Sequence, residues 1–241
     1  MNEGTVSRTR ARPGAGAFVS EDHPSAGVFA HESRGRRVQY AGKRTLDYVG
    51  AAVGLLLLSP VMLGVAVAIR LGSDGPALFR QRRTGRHGEA FLMWKFRTMA
   101  CDAEDRMGEL ERLNESPGGV LFKLRRDPRV TRIGRVLRRT SLDELPQLFN
   151  VLQGQMSLVG PRPLPLRDCA RLAESDAAGF HIRHRVLPGI TGPWQLGGRS
   201  EVGHERMIAM DVEYVRNWSF VKDLFLILRS VVIPWTGRGA H

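Results

Sequence analysis

From Tyr48 to Ile69 the chain reads YVGAAVGLLLLSPVMLGVAVAI, 22 residues without a charge. A run of this length can cross a hydrocarbon core of about 30 Å, so the pattern predicts a membrane-embedded helix. Ser59-Pro60 falls near its middle, where proline removes a backbone donor and crowds the preceding turn, and this predicts a break. The arms on either side have 11 and 9 residues. At 1.5 Å per residue they reach about 16 and 13 Å, each near half the depth of the core. Lys43 and Arg44 precede the segment, and Arg70, Arg80, Arg82, Arg83 and Arg86 follow it. Basic residues at both ends favour returning the chain to the cytoplasmic face. The expectation is a re-entrant broken helix over 43–72, with a kinked spanning helix as the alternative. Residues 1–42, rich in Gly, Ser and Arg without a sustained apolar period, are expected to be a mobile basic tail.

The rest of the chain, 73–241, is expected to form a catalytic domain with membrane-surface helices. GPALFRQRRTGRHGEAFLMWKFRTM predicts two strands around a basic turn at Thr84–Gly88. CDAEDRMGELERLNES predicts a short polar helix whose Asp102, Glu104 and Asp105 decorate a solvated face. Ile133, Val136, Leu137 and Thr140 recur at helical spacing with Arg132, Arg135, Arg138 and Arg139 around them, which predicts a short helix that buries the first row and leaves a cationic remainder. Phe220 to Trp235 is apolar apart from Lys222, Asp223 and Arg229, and Trp194, Trp218 and Trp235 suit either a head-group level or a core. The fold class these elements predict is α+β: a helix-dominated monotopic membrane protein with a small β-hairpin.

Composition narrows the chemistry. The 241 residues carry a formal charge of +12 and are 42% hydrophobic, which excludes a wholly disordered chain and points to anionic partners. Two cysteines without a CxxC pair suit a reducing compartment. Between Lys123 and Arg139 eight basic residues face a single acid. Such a segment suits a phosphorylated substrate, lipid head groups or a nucleic-acid backbone equally. Directly after it come Asp143 and Glu144. Ser141-Leu142-Asp143-Glu144 fits a capping box, in which the acids only decorate a helix start. The functional alternative is that arginines hold a pyrophosphate while one carboxylate attacks phosphorus and the other helps with metal or proton. Arg162 stands between Pro161 and Pro163, where a guanidinium has less freedom to lose on gripping an anion.

From about Lys43 to Arg238 the chain resembles the bacterial sugar transferases, the monotopic phosphoglycosyl transferases that act on polyprenyl phosphate. The resemblance rests on KRTLDYVG before an apolar segment with Ser59-Pro60, on FRQRRTG and KFRTM, on DPRVTRIGRVLRRTSLDELPQLFNVLQGQMSLVGPRP, and on LPGITGPWQLGGRS followed by MDVEYVRNWS. It implies that Asp143 attacks the β-phosphorus of a UDP-sugar, that UMP leaves, and that polyprenyl phosphate then accepts the phosphosugar. It further implies Glu144 as dyad partner, Mg²⁺ at Asp143 and Glu144, and Arg138, Arg162, Arg199 and Lys95 as substrate-binding residues. Ser59 and Pro60 match the break of a re-entrant helix. The expected place of work is the cytoplasmic face of the plasma membrane. Two departures stand out. Gln155 replaces the acid of the usual GDMSL text, and the spanning helices that precede this region in larger relatives have no counterpart, as expected of a catalytic-domain-only form. A membrane-tethered nucleic-acid binder is the competing class, and the chain lacks a base-reading module or an aromatic stacking platform to support it.

Overall fold

The computed structural model describes residues 34–116, 120–197 and 203–232. Helix α1 (Arg34–Gly72) is a single element of 39 residues with Pro60 inside it. It begins at Arg34, so residues 34–42, expected in the tail, are helical. Once the apolar segment nucleates a helix, extension costs little, and Tyr40 gains an edge contact with Trp218 at 6.4 Å. The break predicted at Ser59-Pro60 is not seen: α1 runs through Pro60 as one helix, which loses a single backbone bond there. Pro60 has no N–H to offer the Leu56 carbonyl, and the Ser59 hydroxyl donates to that oxygen instead at 2.8 Å. Where no water can satisfy a freed carbonyl, such a local donor is what permits proline.

One stripe of α1 faces the protein body. Lys43, Asp47, Ala51, Val65 and Ile69 are buried, and Leu55 and Met62 are partly buried in the same row. The opposite side is apolar and bare: Leu56 is 74% exposed, and Leu57, Leu63 and Leu71 are similarly open. Polar bonds fix both ends to one body. Lys43 Nζ donates to Val159 O at 2.9 Å and pairs with Asp223 at 2.6 Å. Asp47 accepts from Ser157 Oγ and Leu158 N at 2.8 and 2.9 Å. Beyond the other end, Arg97 Nη2 donates to Ser73 O at 2.9 Å.

Strands β1 (Leu78–Thr84) and β2 (Ala90–Phe96) form the predicted antiparallel hairpin, in register from Leu78↔Phe96 to Thr84↔Ala90. The turn holds a 3-10 segment over Arg86–Gly88, with His87 in the left-handed region at φ 57°. The polar stretch that follows is less helical than expected: turns lead to α2 (Met107–Leu110) and one 3-10 turn over Glu111–Leu113. Helix α3 (Arg132–Thr140) starts on a Thr131 cap that accepts from Gly134 N. Its contact face is Ile133, Gly134 and Leu137, while Val136 is 60% exposed. Gly134 sets this rotation, because it lies so close to Thr98 backbone that a Cβ would overlap the Thr98 carbonyl.

A 3-10 turn over Leu142–Glu144 leads into α4 (Gln147–Leu152) and then β3 (Ser157–Val159). Next come α5 (Leu166–Ser175), α6 (Ala177–Arg183), β4 (Gly189–Thr191), α7 (Pro193–Leu196), α8 (His204–Arg216) and α9 (Phe220–Val232). β3 and β4 make a parallel two-stranded sheet. Gly160 N donates to Thr191 O and Gly189 N to Pro161 O, both at 2.9 Å, which pins the chain entering Pro161-Arg162-Pro163. A side chain at Gly189 would strike Gly160 backbone. Trp194 and Trp218 are core residues; Trp235 lies outside the described residues. Helix α9 leaves Val221, Phe225 and Leu228 exposed, a second apolar face beside that of α1.

Candidate active site

Three elements bring the site together. Alternation along β2 turns Lys95 inward, the turn after α3 presents Asp143 and Glu144, and the stretch after β3 presents Arg162. The capping box does not form. Ser141 ends α3 in the left-handed region at φ 59° and ψ 15°, and its side chain makes no capping bond to the following turn. That conformation costs a non-glycine residue about 1–3 kcal/mol and recurs where geometry serves function. Glu144 is turned toward cations: its Oε1 accepts from Arg162 Nη2 at 2.6 Å and Lys95 Nζ at 3.2 Å.

Asp143 is buried, with 8% of its surface exposed. Burial raises its carboxyl above the ordinary value; Lys95 opposes the rise and Glu144 reinforces it. Burial also acts to raise Glu144, yet Arg162 and Lys95 more than reverse it and hold that carboxyl well below the usual range. The neighbours therefore separate two adjacent carboxylates, one firmly ionised and one easier to protonate. Lys95 is lowered by burial despite Glu144. Arg162 is raised, since Glu144 outweighs the effect of burial. Its guanidinium lies over the Trp194 ring at 5.8 Å.

Arg138 Nε donates to Thr98 Oγ1 at 3.0 Å, a bond that leaves the Nη fork uninvolved. Asp143 is the charge that acts on it most strongly. Of the residues named from the sequence, Lys95, Arg138, Asp143, Glu144 and Arg162 thus share one site. Arg199 lies outside the described residues. Ser59 and Pro60 belong to α1 and are exposed. Gln155 takes a structural part: its Oε1 accepts from Asn150 Nδ2 at 2.7 Å, while Asn150 also bonds Leu92 O and Trp94 N of β2. An amide oxygen does there what a carboxylate oxygen can do.

Two features were not anticipated from the sequence. Arg183 and Asp211 form a fully buried pair at 2.9 Å, and Arg183 Nη2 also donates to Arg162 O at 2.8 Å, fixing the backbone that carries the site arginine. Arg83 lies behind Arg162, with Nη1 donating to Pro163 O at 3.3 Å. Strand alternation was the available signal, since Phe79, Gln81 and Arg83 share the inward side of β1.

Among the described residues no group of three or more His, Cys, Asp or Glu side chains gathers as a metal cage. A cation held by two carboxylates and substrate oxygens needs no such cage. Both protein cations on Glu144 use Oε1, so Oε2 and the adjacent Asp143 match that donor set.

Carboxylates kept among guanidinium groups suit the transfer of groups between phosphorylated substrates. The chain belongs to the bacterial sugar transferase family, whose model matches residues 38–237. It is 39% identical over 222 residues to the exopolysaccharide production protein ExoY of Rhizobium meliloti strain 1021, covering 90% of this chain and 96% of that one. It is 37% identical over 202 residues to the undecaprenyl-phosphate galactose phosphotransferase of Salmonella typhimurium, covering 83% and 41%. The UDP-glucose:undecaprenyl-phosphate glucose-1-phosphate transferase of Escherichia coli K12 is 40% identical over 204 residues, covering 83% and 41%. The chain thus spans nearly all of ExoY and about two fifths of the other two.

Proposed function

We propose that this protein transfers a sugar-1-phosphate from a UDP-sugar to polyprenyl phosphate at the cytoplasmic membrane face, through a phosphosugar ester on Asp143 and with release of UMP. The observation that carries the proposal is the split dyad: Glu144 committed to Lys95 and Arg162, and Asp143 buried beside it without an ion pair within 4 Å among the described residues. The relatives' names supply the substrate class, and the ExoY resemblance points to exopolysaccharide assembly as the use.

In the first half-reaction the Asp143 carboxylate attacks the sugar-bearing phosphorus, and the nucleotide departs with the electron pair of the broken bond. Lys95, Arg138 and Arg162 offset the charge on the phosphoryl oxygens. In the second, the acceptor phosphate attacks the same phosphorus, and the Asp143 carboxylate is restored. Glu144 fixes Lys95 and Arg162 by ion pairing. Mg²⁺ fits at Asp143 and Glu144, where it would supply further positive charge to the diphosphate. A buried carboxylate attacks without first losing a proton once the pH exceeds its raised value.

The bare apolar sides of α1 and α9 support membrane immersion, and the bonds holding both ends of α1 to one body support a re-entrant path. The test is a panel of UDP-sugars assayed with polyprenyl phosphate and Mg²⁺. UMP as the nucleotide product is expected, and UDP would overturn the proposal.

A further inference from the structure

The inward face of the hairpin carries a second cation that the dyad does not use. The register pairs Phe79 with Lys95, Gln81 with Met93 and Arg83 with Phe91, so Lys95 and Arg83 project from one side of the sheet. Lys95 reaches Glu144, whereas Arg83 comes up beside Arg162. Among the described residues its terminal nitrogens meet only neutral acceptors, Pro163 O at 3.3 Å and Gln81 Oε1 at 2.5 Å, and its Nε is buried without a partner. The nearby acid Asp168 is paired with Arg167 at 3.1 Å. A partly buried charge without a direct ion pair is costly to hold, and here a second guanidinium adds repulsion that the more distant Asp168 and Glu144 oppose. Burial and then Arg162 push Arg83 down to about 10, so it remains a cation at neutral pH. The Trp194 ring beneath Arg162 has a buried Nε1 that also lacks an acceptor among the described residues. Two unused donors therefore flank one site arginine.

We propose that Arg83 and Arg162 form one anion subsite for the nucleoside-linked phosphate of the donor, the group that departs as the nucleoside monophosphate. This assignment rests on the proposed function. As the Asp143 oxygen bonds to the sugar-bearing phosphorus, the bond from that phosphorus to the bridging oxygen breaks. Its electron pair stays on the departing phosphate, and the extra charge falls beside the two guanidiniums. Arg138, on the Asp143 flank, serves the phosphate that stays behind.

The test is calorimetric titration of the purified full-length protein with UMP and, separately, with inorganic pyrophosphate. Arg83→Gln should weaken both by tenfold or more and raise KM for the UDP-sugar, with Arg83→Lys intermediate because it keeps charge but loses the fork. Thermal melting establishes that each variant is folded; should Arg83→Gln fail to fold, the same intermediate loss in Arg83→Lys, about threefold or more for both probes, is the deciding result. Wild-type affinities in every folded variant, or no binding of either probe by the unmodified protein, would overturn the subsite. If the unmodified protein binds pyrophosphate but not UMP, the UDP-sugar function falls. The effect of Arg83 on pyrophosphate then still decides whether an anion site exists.

Discussion

Asp143 and Glu144 are neighbours in sequence, yet their surroundings give them different protonation. Glu144 is held ionised by Arg162 and Lys95, and Asp143 is raised by burial. An ordinary aspartate titrates near about 3.9. As pH falls, Asp143 therefore takes up its proton first, at a pH above that value, and the proposed nucleophile is lost while Glu144 still carries its charge. The acid limb of kcat/KM, which reports the free enzyme, is expected to set in above the ordinary aspartate range; a limb at or below that range would contradict the assignment. Asp143→Asn should abolish turnover while leaving membrane association intact, and appreciable activity in that variant would remove Asp143 from the nucleophile's role. At this scale the site was partly legible. The dyad and the arginines stood out by residue type and spacing, but S-x-x-E could not reveal that Ser141 turns left-handed and sends Glu144 to cations on distant elements.

At the scale of elements, two buried ion pairs hold the site's frame. Lys43 joins α1 to β3 and α9, and its partner Asp223 also accepts from Tyr214 Oη at 2.7 Å and Trp218 Nε1 at 3.0 Å. Lys43→Met removes one charge and leaves Asp223 buried, a change that typically costs about 3–5 kcal/mol; denaturant unfolding should show a loss of that order. Arg183→Met should cost a similar amount by stranding Asp211. In the variant protein that remains folded, it should also raise KM for the UDP-sugar, since Arg162 loses the donor on its carbonyl. Neither pair was legible, because their members lie 180 and 28 residues apart and only the folded chain brings them together. The long helix and the hairpin were legible from period and alternation. The three-residue strands β3 and β4 were not, being too short for any alternation to register. Val136 was expected to be buried with Leu137; the contact at Gly134 turned the helix by enough to leave it in the open.

For the whole molecule, the continuous outer surface of α1 and the apolar side of α9 set where the protein works. Replacing Leu57 and Leu63 with glutamate puts two charges on the bare face of α1, and the protein should move from the membrane to the soluble fraction on flotation. Cysteines introduced at residues 40 and 75 should both be labelled from the cytoplasmic side; labelling from opposite sides would establish a spanning helix. The most direct test of the account is intact-mass spectrometry of the protein mixed with a UDP-sugar and Mg²⁺ before the lipid acceptor is added. The expected spectrum shows a glycosyl-phosphate adduct that maps to Asp143, disappears on adding polyprenyl phosphate and is absent from Asp143→Asn. Product formation with only unmodified protein throughout would contradict it.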